Sequence, residues 1–155
     1  MNNKICCFAG HSGIIETENL KLKVYEKCEE LITDCGVTIF WVGHYGDFDR
    51  LAANCVRELK EKYPNIRLEL ILPYVTKSIS RCKEIFYHNF DCMIMAGMNE
   101  KIPKRYRIIK CNQYMVNNSS YLIAYVNYSF GGAAMTLEYA RKKEITVFNF
   151  GNCNP

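Results

Sequence analysis

Short apolar runs alternate with amphipathic stretches along almost the whole chain, and this alternation restricts the fold more than any other feature. The runs Ile5–Ala9, Val37–Val42, Ile66–Leu72, Cys92–Ala96, Tyr121–Val126 and Ile145–Phe150 have the length and composition of buried strands. Between the first two, Leu20, Val24, Cys28, Leu31 and Ile32 share one helical face, with Thr17 placed to cap the helix and Gly36 to end it. Leu51, Ala52, Cys55, Val56 and Leu59 define a second helix, which Asp47 or Asp49 is placed to cap. Ser78–Phe90 reads as a short helix or lid-like segment, Met98–Pro103 as a turn, Tyr106–Asn117 as a mixed but helical stretch and Ala133–Lys143 as the last helix. Strand and helix in regular succession predict an α/β fold: a Rossmann-like three-layer sandwich with a mostly parallel central sheet.

The length of 155 residues suits one domain, 1–155, with a core that needs no staples. Apolar residues make up 49% and charged residues 23%, which excludes disorder as a description of the chain. Twenty Lys and Arg against sixteen Asp and Glu leave a net charge of +4, too mild to mark a dedicated nucleic-acid binder. The nine cysteines are odd in number, form no Cys-x-x-Cys and lack zinc-ligand spacing. The run up to Gly10 is too short for a secretory signal, and no run is long enough to span a membrane. Reduced, buried thiols in a cytoplasmic protein are therefore expected, with Cys6 and Cys7 leaving their strand on opposite faces. Neither a metal nor a cofactor is expected.

In sheets of this kind ligands bind beyond the carboxyl ends of the strands, near the point where strand order reverses. Three loops there carry unusual residues. Gly10-His11-Ser12-Gly13 is either a tight turn or a close-approach loop for an anion, with the Ser12 hydroxyl as a further donor. Gly43-His44-Tyr45-Gly46-Asp47-Phe48-Asp49 offers carboxylates that either cap a helix or accept from a ribose or base, and His44 is either a proton-transfer group or a polar surface residue. The third loop runs from Ser129 through Phe130, Gly131, Gly132 and Ala133 to Thr136 and Glu138. Its glycine pair at a helix start exposes N–H groups at the positive end of the helix dipole, a ready phosphate site. Glu138 can bind a sugar hydroxyl, act as an acid or base, or sit solvated on the helix. Lys101, Lys104, Arg105, Arg107 and Lys110 form a basic cluster that faces either phosphate or water, and Tyr114 and Met115 either line a slot for a base or pack in the core.

These residues together resemble the SLOG superfamily, the Rossmann-like group that includes the LOG phosphoribohydrolases and the DprA DNA-binding proteins, and within it the small stand-alone YpsA-like branch of bacteria and phages. The resemblance spans nearly the whole chain. It rests on Phe8-Ala9-Gly10-His11, on Gly43 to Ala52, on Gln113 to Ala124, and most strongly on Ser129 to Ala140. It implies a pocket for a nucleotide or nucleotide-derived ligand, such as an NAD- or ADP-ribose-derived or cyclic nucleotide signal in phage defence or anti-defence. The glycine-rich loop would carry phosphate, and the earlier loops and Gln113 and Met115 would frame base and ribose. The resemblance also implies a homo-oligomer, a dimer or larger.

The LOG enzymes carry Gly-Gly-x-Gly-Thr-x-x-Glu with an arginine upstream. Here Gly131, Gly132 and Glu138 keep that spacing, but Ala134 replaces the third Gly and Met135 the Thr, and the positions before Met115 read Cys111-Asn112-Gln113-Tyr114 without an arginine. Loss of that cation removes a bidentate contact to phosphate or leaving group. The expectation is a non-catalytic binder that senses or sequesters its ligand. A LOG-like nucleoside monophosphate phosphoribohydrolase using Glu138 and a DprA-like DNA-binding module are the alternatives.

Overall fold

Six parallel strands form one sheet in the order β4-β3-β2-β1-β5-β6. They are β1 (Lys4–Gly10), β2 (Val37–Val42), β3 (Arg67–Leu72), β4 (Cys92–Met95), β5 (Tyr121–Tyr125) and β6 (Thr146–Asn149). The computed structural model describes residues 4–15, 17–44, 46–73, 88–96 and 101–153. Among these, four helices join the strands: α1 (Glu18–Cys35), α2 (Asp47–Lys62), α3 (Lys104–Asn117) and α4 (Gly132–Lys142). The α/β class with a parallel sheet is as the sequence predicts. The Ser78–Phe90 segment lies outside the described residues apart from its last three, and the Met98–Pro103 turn apart from residues 101–103.

Strand residues alternate between two cores because successive side chains leave a strand on opposite faces. Cys6, Phe8, Phe40, Val42, Leu68, Leu70 and Ile123 pack against α1 and α2. Cys7, Ala9, Trp41, Ile71, Leu122 and Ala124 pack against α3 and α4. Cys6 and Cys7 thus serve different cores, which is why both are apolar-sized and both are buried. Helices cover both faces, so strands read as continuous apolar runs rather than as alternating ones. Glu69 is the exception within β3, and its buried carboxylate accepts from Trp41 Nε1 and Arg67 Nε, each at 2.9 Å.

Helix ends follow local chemistry. Thr17 Oγ1 accepts from the Leu20 N–H at 3.0 Å, and Gly36 closes α1 at φ 75°, where a side chain would be strained. At α2 the expected aspartate cap is absent. Gly46 is the capping residue and makes no side-chain bond, while the Asp47 N–H donates to the Ser12 carbonyl at 2.9 Å. A Cβ on Gly46 would collide with the Ser12 backbone, so the close seating of these two loops leaves no space for a capping side chain.

The chain moves outward from β1 to β4 and then returns to place β5 on the other side of β1. This reversal puts the crevice beyond the carboxyl ends of β1 and β5. No helix among the described residues is long and apolar enough to cross a membrane.

Candidate functional site

A cleft of ≈ 290 Å³ occupies that crevice. The end of β1 supplies Gly10, His11 and Ser12, and the segment after β5 supplies Tyr128, Phe130, Gly131 and Gly132. Ala133 and Thr136 of α4, Asp49 of α2, and Ile108 and Asn112 of α3 complete its wall.

Gly10 is required by packing rather than by an anion, because a Cβ there would overlap the Phe48 side chain. Its neighbour His11 is buried, and its Nε2 accepts the Asn127 N–H at 2.9 Å. That bond places the ring proton on Nδ1. Burial pushes the imidazole below its ordinary pKa. The ring stacks on Tyr128 at 4.0 Å and 11°, and Tyr128 stacks in turn on Phe130 at 4.3 Å and 25°. The outer ring, Phe130, is 70% exposed. Three rings therefore form a ladder from the core to the mouth of the cleft.

The floor of the ladder is held from β6. Asn149 Oδ1 accepts from the N–H groups of Val126 and Gly151, and Nδ2 donates to the carbonyls of Val126 and Cys153. All four capacities of the amide are used, and they fix the chain just before Asn127.

Two helix N-termini meet this crevice with opposite character. The first turn of α4 holds no acidic residue and no side-chain cap, and Gly131 enters it at φ 93° with open space around both glycines. Its free N–H groups and dipole favour an anion. The first turn of α2 carries Asp47 and Asp49 and favours donors such as hydroxyl or amino groups. Asp47 is occupied in tying the loops together, accepting from the Ile14 N–H at 3.3 Å and from Arg50 at 3.4 Å. Asp49 is the one that lines the cleft.

The remaining sequence candidates lie elsewhere. Gly43, His44 and Gly46 line a neighbouring cleft at the end of β2. Gln113 and Glu138 line a groove between α3 and α4, where the exposed Glu138 carboxylate pairs with Lys142 at 3.3 Å. Gly13 and Ser129 are exposed beside the main cleft but do not line it. Met115 is buried in the core under α3, and Tyr114 stacks on Trp41. Thr136 does line the main cleft, but its hydroxyl bonds back to the Gly132 carbonyl at 2.9 Å and serves the helix. In the basic cluster Arg107 clamps the Ile102 carbonyl and Arg105 lies over the Tyr106 ring, so neither replaces the missing arginine in the main cleft. No group of three His, Cys, Asp or Glu side chains among the described residues is arranged to hold a metal.

Tyr128, Ile108, Asn112 and the positioning residue Asn149 are site features that the loop motifs did not include. Tyr128 directly precedes the Ser129 loop, and Ile108 and Asn112 share a helical face at i, i+4; those were the available signals.

No protein-family model and no curated protein matches the sequence. Solved structures do match in fold. DNA processing protein A (DprA) from Streptococcus pneumoniae aligns with a TM-score of 0.65 at 12% identity, over 95% of this chain and 50% of that one. DprA from Helicobacter pylori, studied for its single-stranded DNA binding mode, aligns at 0.66 and 14%, over 94% of this chain and 64% of that one. The Moco carrier protein of Chlamydomonas rheinhardtii aligns at 0.58 and 17%, over 96% and 76%. The chain has the Rossmann-like fold that these proteins share, and it spans between half and two-thirds of the length of the two DprA chains.

Proposed function

We propose that the chain is a non-catalytic binder of a nucleotide-derived small molecule, of the stand-alone YpsA-like kind, that senses or sequesters its ligand. The observation that carries this reading is the joining of three features in one cleft: the open Gly131–Gly132 helix start, the His11–Tyr128–Phe130 ring ladder, and the Asp49 carboxylate. They match the three parts of a nucleotide. Phosphate takes the α4 N-terminus, the base takes the ring ladder, and a ribose hydroxyl takes Asp49. Binding without turnover is supported by Glu138, which is exposed and ion-paired in the α3–α4 groove instead of lining the crevice.

The test begins with native mass spectrometry of the purified protein, followed by thermal-shift titration with AMP, ADP-ribose, NAD and cyclic dinucleotides. The expected result is stabilisation by at least one of them, worth about 2.7 kcal/mol at a hundredfold excess over Kd. Failure of the whole panel to stabilise the fold would overturn the reading. Release of adenine from AMP, lost in Glu138→Gln, would replace it with the phosphoribohydrolase. Salt-sensitive retardation of single-stranded DNA, with no response to the panel, would replace it with a DprA-like role.

A further inference from the structure

A second cleft, of ≈ 250 Å³, opens at the carboxyl end of β2 beside the first, and Asp49 lines both. Two arginines of α2, Arg50 and Arg57, line it together with His44. Arg57 is half-buried and held in place on several sides. Its Nε donates to the Asn89 carbonyl and its Nη1 to Asn54 Oδ1, each at 2.9 Å, and Cζ lies 4.8 Å from the centre of the Phe90 ring. Both hydrogen-bond partners are neutral, so the cation is oriented without being neutralised by them. The bonds use part of the guanidinium fork and leave further donors for an occupant of the cleft. Burial in this wall lowers the pKa of Arg57 from its ordinary value. His44 is pushed down as well, by desolvation first and then by the charge of Arg50. Arg50 meets Asp47 in an exposed pair at 3.4 Å, and pairs of that kind are weak. Asp49 lines the cleft with these cations, Asp47 pairs with Arg50 and also serves the Ile14 N–H, and Asp91, on the other side of Arg57, is paired with Lys60.

A long side chain loses rotamer freedom when fixed in this way, and a planar guanidinium stacked on a ring is pre-organised for a bidentate oxyanion. We propose that this second cleft is a phosphoryl subsite, anchored by Arg57 and flanked by Arg50 and His44. The site stands apart from the proposed nucleotide cleft, and a probe without base or ribose tests it separately. A ligand filling both clefts would carry a second phosphoryl group on the far side of Asp49.

The experiment titrates inorganic pyrophosphate at low ionic strength and follows the three imidazoles by NMR. The expected result is a saturable shift of the His44 signals, with a rise in the His44 pKa, larger than any change at His11 or His88. Arg57→Gln should weaken pyrophosphate binding about tenfold, and Arg57→Lys, which keeps charge but loses the fork, should fall between the two. Arg50→Gln, at an exposed position, should weaken it about threefold and serves if Arg57 variants do not fold. No saturable response at His44 in the unmodified protein would overturn the proposal. Unchanged affinity in folded Arg57→Gln, or in Arg50→Gln if the Arg57 variants do not fold, would do the same. Failure of the nucleotide panel would leave this result standing, and failure here would leave the nucleotide reading standing.

Discussion

His11 Nε2 accepts the backbone N–H of Asn127 at 2.9 Å, which joins the end of β1 to the loop after β5 through a neutral imidazole. Protonation would turn this acceptor into a donor facing another donor. Burial also lowers the folded-state pKa below 6.5, so the unfolded chain takes up the proton first as pH falls. The contribution of His11 is therefore full above about pH 6.5 and is lost as pH falls from there towards the folded pKa. His44 is shifted in the same direction and adds to the slope. Urea midpoints should fall between pH 7 and pH 5, and the fall should be smaller in His11→Gln than in the parent, and smaller still when His44→Gln is added. Equal slopes in the parent and His11→Gln would show that the bond to Asn127 does not couple to protonation.

The Asn149 amide supports that loop from β6 with four hydrogen bonds. Asn149→Asp keeps the shape but turns two donors into acceptors that face the Val126 and Cys153 carbonyls. The expected loss is about 1–3 kcal/mol in urea denaturation, since part-buried groups on both sides lose partners. Faster exchange of the Asn127 amide should accompany it. A loss near zero would mean that the C-terminal segment is not needed to hold the site.

Cysteine reactivity should divide by burial. Cys6, Cys7, Cys28, Cys55 and Cys111 are buried, and burial pushes Cys7 and Cys111 up to about 12 and raises Cys6 and Cys28 well above the ordinary thiol range. Cys35, Cys92 and Cys153 are partly exposed. Iodoacetamide at mildly alkaline pH should modify the second group first, with the first group reacting only on unfolding. Peptide mapping that finds Cys7 labelled early would contradict the packing of β1.

The strands and the Thr17 and Gly36 helix ends were legible because each rests on a local pattern of apolar period and turn chemistry. The site was legible in part. Gly131 and Gly132 announce an open helix start wherever they occur before an apolar helix. Gly10 and Gly46 looked alike in sequence, yet one makes room for Phe48 and the other for the Ser12 backbone, and only tertiary contact separates these uses. The same holds for Asp47 and Asp49: two residues apart, one braces the loops and the other lines the cleft. Glu138 kept the motif spacing and Met115 lay in the stretch that carries the resemblance, but helix rotation directs Met115 into the core and Glu138 into a groove between helices. Asn149 lies far along the chain from His11, and no local pattern connects them.

Phe130 offers the most direct test of how the ring ladder is used. An aromatic ring that is 70% exposed contributes little to the core, so Phe130→Ser should leave the melting temperature within about 2 °C of the parent. Stacking of a base on an aromatic side chain is worth about 1–3 kcal/mol, so the same change should weaken the best nucleotide of the panel about 5- to 150-fold. Inorganic pyrophosphate has no ring, and its affinity should not change. Tyr128 is held between His11 and Phe130, so Tyr128→Ser should lower both stability and affinity. A Phe130→Ser protein that binds the nucleotide as tightly as the parent would remove the base from the ladder. A large fall in melting temperature for Phe130→Ser would instead make the outer ring part of the fold.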